Sequence, residues 1–403
     1  MSAPLGTDLA RPRLPRAIWA LGCVSLLMDI SSEMIHALLP VFLVVTLGAG
    51  TEMVGLIEGV GEGTASIVKV FSGWLSDRLG RRKALAVAGY AMGALSKPVF
   101  ALAPAAGWVL GARVFDRIGK GVRGAPRDAL VGDLAPPGMS GAAFGLRQSL
   151  DTVGAFAGPL LAIVLMAASG DDIRLVFWLA LPFGLAAVLL LAVAVRDPPR
   201  KASHRPARLP LRRSEFVQLG PRFRAVVLAG AVLTLARFGE AFLVLRARSL
   251  GLPLALTPAV LVVMNVVYGL AAYPAGRLAD RLDRRGVLAA GFGVLVLADL
   301  CLGFAPGLVV GMAGIALFGL HMGLTQGVLS ALVSDAAPET ARGTAFGIFH
   351  LAGGVALLAA SLLAGVAWSL AGPAATFLAS AGFAVIGLVL LFALVDAGHA
   401  RAR

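Results

Sequence analysis

The chain has 403 residues, 58% of them hydrophobic and only 14% charged, with a net charge of +13. A water-soluble protein is about a quarter charged, and an aqueous core cannot absorb this much apolar sequence, so an ordinary soluble domain is excluded. The basic excess lies beside apolar blocks, where Lys and Arg act as orienting charges at a membrane, and no nucleic-acid partner is expected.

The apolar sequence arrives in blocks of about 20 to 30 residues, the length that crosses a bilayer as helix. Twelve spans are predicted, at 17–47, 53–75, 84–103, 107–125, 141–168, 173–195, 223–245, 254–279, 287–304, 309–333, 343–370 and 374–395. A backbone in lipid must satisfy its own hydrogen bonds, and no alternating barrel pattern is present, so every span is read as a helix. The first block follows Arg11, Arg13 and Arg16 and is too long for a signal-peptide core, which makes it an uncleaved span. Cys23 and Cys301 sit inside apolar runs with no metal-ligand spacing and no disulfide framework, and neither a metal nor a cofactor is expected.

One set of loops is strongly basic: Arg11 to Arg16, Arg78 to Lys83, Arg123 with Arg127, Arg196 to Arg224, Arg277 to Arg285, Arg342, and the tail Arg401 with Arg403. The alternate loops hold little that is basic beyond Arg174, Arg246 and Arg248. The basic set therefore reads as cytoplasmic, with both termini inside. The stretch from Arg196 is rich in Pro and Arg without an apolar face, and reads as a linker. The expected division is a tail at 1–16, six spans at 17–195, a linker at 196–222, six spans at 223–395 and a tail at 396–403.

An ionisable residue in hydrocarbon is costly, so each needs a partner or a task. In the first span Asp29, Glu33 and His36 fall at i, i+4 and i+7, on one helical face. A carboxyl there could carry a proton, touch cargo or pair with a base on the fourth span. The second span holds Glu58 and Glu62, an unfavourable like-charge i, i+4 pair unless each meets a cation or one is neutral; it also holds Lys69. Lys97 in the third span has no partner legible from spacing. The fourth span carries Arg113, Asp116, Arg117 and Lys120, with the three cations on one face that lipid would not tolerate. It should face a cavity or the acids of the first span. In the fifth span Arg147 and Asp151 are spaced as a pair, and Gly154 and Gly158 precede the kinking Pro159. Arg237-Phe-Gly-Glu240 in the seventh span looks like a counterpart of Ile30-Ser-Ser-Glu33. Asn265, Tyr268, His321 and Gln326 add polar groups, while Asp299 and His350 stay unassigned.

The halves repeat. Gly73-Trp-Leu-Ser-Asp77-Arg78-Leu-Gly80-Arg81-Arg82 returns as Gly276-Arg-Leu-Ala-Asp280-Arg281-Leu-Asp-Arg284-Arg285. Ala129-Leu-Val-Gly-Asp133 returns as Ala331-Leu-Val-Ser-Asp335 at nearly the same offset. The form GxLxDRxGRR between two spans resembles the cytoplasmic loop signature of the major facilitator superfamily. Arg113 and Arg117 both compete for the Arg of its fourth-helix motif, and Gly154, Gly158 and Pro159 look like the fifth-helix motif of its antiporters.

The resemblance implies an all-α membrane protein of twelve helices in two pseudo-symmetric six-helix bundles. These face each other around a cavity formed mostly by helices one, four, seven and ten. It also implies that the basic turns act as conformational latches. Asp77 would approach the helix starting near Gly343, Arg81 would bridge acids such as Asp133, and Asp280 would do the mirror job near Gly141. Gly73, Arg78, Gly80, Gly276, Arg281 and Arg284 complete the two turns. Asp29, Glu33, Arg113, Asp116, Arg117, Arg237, Glu240 and His321 are the expected substrate and proton-coupling residues.

The leading expectation is a monomeric secondary transporter in a bacterial inner membrane, exporting a small molecule by alternating access against protons. Its partners would be that small molecule, protons and the lipid bilayer. The Arg113, Arg117 and Lys120 stripe motivates an alternative, a proton-coupled importer of a small anion or metal chelate. A third expectation is a transporter-like receptor or scaffold, against which the two latch turns argue. No nucleophile constellation, metal motif or nucleotide-binding loop points to an enzyme.

Overall fold

A computed structural model describes residues 14–79, 81–136, 139–197, 220–281, 284–336 and 342–400. At some helical positions, among them Gly73, Asp77, Asp280, Arg281 and Arg284, only the backbone is described. The linker expected at 196–222 and Gly80 fall almost wholly outside the described residues.

The described residues form helices and short connections. In the first half these are α1 (Arg16–His36), α2 (Thr51–Leu79), α3 (Arg82–Leu102), α4 (Ala106–Leu134), α5 (Ser140–Ser169) and α6 (Ile173–Ala194). In the second half they are α7a (Gly220–Leu235), α7b (Ala241–Ser249), α8 (Ala259–Arg281), α9 (Arg284–Gly303) and α10 (Leu308–Ala336). A last helical stretch, Arg342–Ala400, is interrupted at Gly372, whose φ of 79° no ordinary helical residue adopts. Pro373 follows at once, and the two parts are α11 (342–371) and α12 (373–400).

Among the described residues eight helical segments are long and apolar enough to cross a membrane, the joined α11 and α12 counting as one. The spans outside that set are α2 and α4, which carry charges, and the divided α7. With these the twelve expected spans are accounted for.

Two of them are not continuous. Beyond His36 the first span turns through Leu39–Val41 into a π-helical turn, Phe42–Thr46. Pro40 lies in that break and has no N–H to give the ladder. The seventh span, expected as one helix over 223–245, is non-helical from Ala236 to Glu240. The Ala236 carbonyl oxygen accepts from the Ser380 hydroxyl of α12 at 2.5 Å, which satisfies a backbone group that the break leaves open. Irregular backbone at such depth persists where it is buried in protein or lines a cavity.

The two halves meet unevenly. At the end away from the basic loops, one apolar core draws from both halves: Leu38, Phe42, Val54, Ile57 and Phe177 with Phe238, Phe242, Leu245, Ala360 and Ala364. There α2 and α11 cross on glycine. A Cβ on Gly55 would sit 2.2 Å from the Ser361 carbonyl oxygen, and one on Gly365 would sit 2.7 Å from that of Thr51. At the basic end, the apolar clusters described belong to one half each, around Ile18, Tyr90 and Leu191 in the first and Phe223, Val333 and Ala345 in the second. Among the described residues the halves are sealed by a shared apolar core at one end and are parted at the other.

Candidate functional site

The charges of α2 and α4 form a ladder. Both helices run from the sealed end to the basic end, so residues four apart on one meet residues four apart on the other. Glu58 Oε2 lies 2.7 Å from Arg113 Nη2, and Glu62 Oε1 lies 2.9 Å from Arg117 Nη1. Gly61 makes room, since a Cβ there would stand 3.1 Å from Arg113 Cγ. The like-charge pair on α2 is thus answered by the cation pair on α4. Asp116 turns the other way, to Lys97 Nζ at 3.1 Å, and Lys97 also reaches Ser32 Oγ at 3.3 Å. His36 joins α1 to the ladder, with Nδ1 3.3 Å from Glu33 and Nε2 3.6 Å from Glu58.

The glycines of α5 set the distance to α1. A Cβ on Gly154 would lie 2.7 Å from the Leu26 carbonyl oxygen and 2.9 Å from Asp29 Cβ. One on Gly158 would lie 2.8 Å from Glu33 Cβ. Each glycine therefore seats against one acid of α1. The close approach sets Asp29 and Asp151 in the same wall. Asp151 also lies 3.4 Å from Arg147 and 4.0 Å from Arg127.

Two chambers lie in the cleft between the halves. One, of about 270 Å³, is lined by Glu33, His36, Glu62, Arg117 and Lys120 from the first half, and by Arg237, Phe238, Gly239, Glu240, Asn265 and Phe318 from the second. The α7 break thus supplies four consecutive residues to its wall, and Glu33 and Glu240 face the same space. Among the described residues no side chain makes an ion pair within 4 Å of Arg237 or Glu240. The second chamber, of about 420 Å³, lies nearer the basic end and takes in Asp29, Lys69, Arg123, Arg127, Asp151 and His350. Glu33, Glu62, Lys120 and Ala155 line both, so the chambers adjoin.

Of the expected site residues, Asp29, Glu33, Arg117, Arg237 and Glu240 line a chamber. Arg113 and Asp116 do not; they are buried in ion pairs behind the wall. His321 does not either. Its Nδ1 lies 2.9 Å from the Gly291 carbonyl oxygen, and its ring packs against Phe292 and Phe318, so it is a fully buried packing residue of α10. The lining is also broader than helices one, four, seven and ten, because α2, α5, α8 and α11 contribute to it. Lys97 gains a partner that its spacing did not reveal, and Asp299 lies 2.6 Å from Ser380 Oγ beside the α7 break. Lys69 and Asp151 were not among the expected site residues. Asp151 was signalled by its i, i+4 spacing from Arg147 and by the small residue a turn further on, Gly154.

At the basic turns, Asp133 is bonded by the Arg82 guanidinium rather than by Arg81, which caps the start of α3. The arm that reaches α4 is one residue further along than expected. Arg78 lies over the Trp74 ring at 5.4 Å, and Gly276 is exposed. The proposed approaches of Asp77 to the helix near Gly343 and of Asp280 to Gly141 lie outside the described residues.

The family model of the Major Facilitator Superfamily matches residues 21–263 and 226–402. The chain belongs to the major facilitator superfamily. It is 31% identical over 394 residues to an uncharacterised transporter of this type from Methanocaldococcus jannaschii, covering 94% of this chain and 95% of the relative. Among solved structures, a nucleoside transporter superposes with a TM-score of 0.75 at 15% identity, covering 94% of this chain and 99% of that one. A human organic anion transporter superposes with a TM-score of 0.68 at 18% identity, covering 94% and 100%. These likenesses at low identity are likenesses of fold, and one fold hosts many cargoes. Membership makes this a multi-pass membrane protein and a secondary transporter, whose relatives are transporters and not enzymes.

Proposed function

We propose that the chain exchanges protons against a small molecule by alternating access and exports it, as a monomer in a bacterial inner membrane with both termini in the cytoplasm. The basic loops favour that orientation, and the parted end then faces the cytoplasm. The observation that carries proton coupling is the meeting of two acids, Asp29 of α1 and Asp151 of α5, in the wall of the chamber nearer that end. Two carboxyl groups brought into one buried wall resist being charged together, so a proton on one of them relieves the repulsion. Its loss sets two like charges against each other between α1 and α5, where Gly154 leaves no slack. Protonation is then tied to how tightly these two helices pack. Arg127 and Arg147 stand beside Asp151 to receive the charge that deprotonation leaves.

Export rests on Gly154, Gly158 and Pro159, which resemble the antiporter motif. A second reading, proton-coupled uptake of a small anion, is favoured by the cations around the same chamber. Vesicle orientation separates them. Inside-out vesicles from cells making the chain are acidified by respiration and followed with a pH-gradient dye, while small carboxylates, phosphates and amphipathic cations are added in turn. An antiporter collapses the gradient on addition of its cargo, and Asp29→Asn abolishes that response. An uptake carrier gives its pH-driven signal in right-side-out vesicles instead. Cargo movement indifferent to an imposed pH gradient in both orientations would remove proton coupling.

A further inference from the structure

We propose that the chamber nearer the basic end is an anion site, in which Lys69 and Lys120 hold the carboxylate or phosphate of a small organic anion that is the cargo. The proposal rests on the transport reading and adds the chemical class of what is carried.

The pairing of the charges on the wall is the reason. Its acids are Asp29, Glu33, Glu62 and Asp151. Three are engaged, Glu62 with Arg117 at 2.9 Å, Glu33 with His36 at 3.3 Å and Asp151 with Arg147 at 3.4 Å, and Asp29 shares the wall with Asp151 and Arg123. The cations outnumber what is left. Arg127 lies 3.1 Å from Asp128, and Arg123 stacks on Tyr90 at 4.7 Å. Lys69 and Lys120 are exposed into the chamber, and among the described residues no side chain makes an ion pair within 4 Å of either. Two ammonium groups without a close ion pair in one low-dielectric cleft repel each other, and an anion between them relieves the repulsion.

The wall is shaped to match. Gly121 and Gly124 of α4 carry no side chain into the space, and the Lys69 stem passes 3.8 Å from where a Gly124 Cβ would be. The volume of about 420 Å³ falls within the range of small-molecule sites, about 300–1,000 Å³. Lys120 also lines the deeper chamber, so it can keep hold of the anionic group as the rest of the molecule advances towards Arg237 and Glu240. The stripe on α4 is then divided by role: Arg113 and Arg117 are spent on the ladder, and Lys120 with Lys69 of α2 meets the cargo.

The test uses the full chain in discs of neutral lipid, with inorganic phosphate and citrate as probes and chloride at equal ionic strength as reference. The probes should raise the thermal midpoint saturably. Lys69→Gln and Lys120→Gln should each weaken the apparent affinity by about tenfold, a loss of one charge-assisted contact. Lys69→Arg should retain it, and Lys83→Gln, at the basic turn outside the chamber, should leave it unchanged. No shift beyond that of chloride overturns the proposal, as does equal weakening by Lys83→Gln, which would mark a general charge effect. A response that appears only with anionic lipid in the disc overturns it in favour of a lipid headgroup. Binding that fails while the pH-gradient response persists sinks the anion site alone. Binding that holds without any pH-gradient response sinks the proton coupling alone.

Discussion

Glu58 and Arg113 show what a charge inside this protein requires. They lie 2.7 Å apart, and neither side chain is more than a tenth exposed. Removing one partner strands the other. Glu58→Gln should cost about 3–5 kcal/mol, the usual penalty of an orphaned buried charge, read as a fall in the thermal midpoint of the purified protein. Glu58→Gln combined with Arg113→Gln should recover part of that loss. A single variant as stable as the parent would contradict the ladder. Spacing alone announced that Glu58 and Glu62 needed cations, and that Arg113 and Arg117 needed anions. It could not match them, because the rungs join helices more than fifty residues apart in sequence. Lys97 makes the same point: its partner Asp116 lies on the next helix, and nothing within its own turn of sequence points there.

At the scale of the helix, the small residues decide where charges meet. Gly154→Ala puts a methyl group 2.7 Å from the Leu26 carbonyl oxygen, and backbone on that side cannot give way. Overpacking of this kind costs about 1–3 kcal/mol and would part Asp29 from Asp151. Gly145→Ala, one helix end away with nothing within 4 Å of its Cβ, should be nearly silent. Thermal midpoints of the two variants check the contrast, and equal effects would refute the close approach as its cause. The α7 break is held differently. Ser380→Ala removes the hydroxyl at the Ala236 carbonyl oxygen, and an unsatisfied buried group costs about 1–3 kcal/mol, again read as a lower midpoint. Sequence gave little notice of this break. The stretch is free of Pro, with only Gly239 as a weak point beside the charged Arg237 and Glu240, and the carbonyl is satisfied from α12, far along the chain. The breaks at Pro40 and at Gly372-Pro373 carry their cause in the local sequence. Pattern thus located the twelve spans, while the interruption that shapes the site depended on tertiary contacts.

For the whole molecule, duplication made the architecture legible: two basic turns at matching places in two halves implied two alike bundles. Which face is open was not legible, because one sequence must serve every state of the cycle. The present state is sealed by apolar contacts at one end, and the crossing of α2 and α11 on Gly55, Gly59 and Gly365 is the tightest part of that seal. A wedge there should tip the balance between states, since a change that favours one conformer moves its population. A Cβ on Gly55 already meets the Ser361 carbonyl oxygen at 2.2 Å, so Gly55→Leu cannot be accommodated with the seal closed. Four exposed positions report the two ends: Val45 and Leu256 at the sealed end, Leu79 and Leu278 at the basic end. With spin labels on each pair, Gly55→Leu should lengthen the Val45 to Leu256 distance and shorten the Leu79 to Leu278 distance. Opposite signs at opposite ends are the mark of two rigid bundles rocking about the chambers. Lengthening at both ends would mean that the helices merely loosen, and the seal would then be packing without a part in transport.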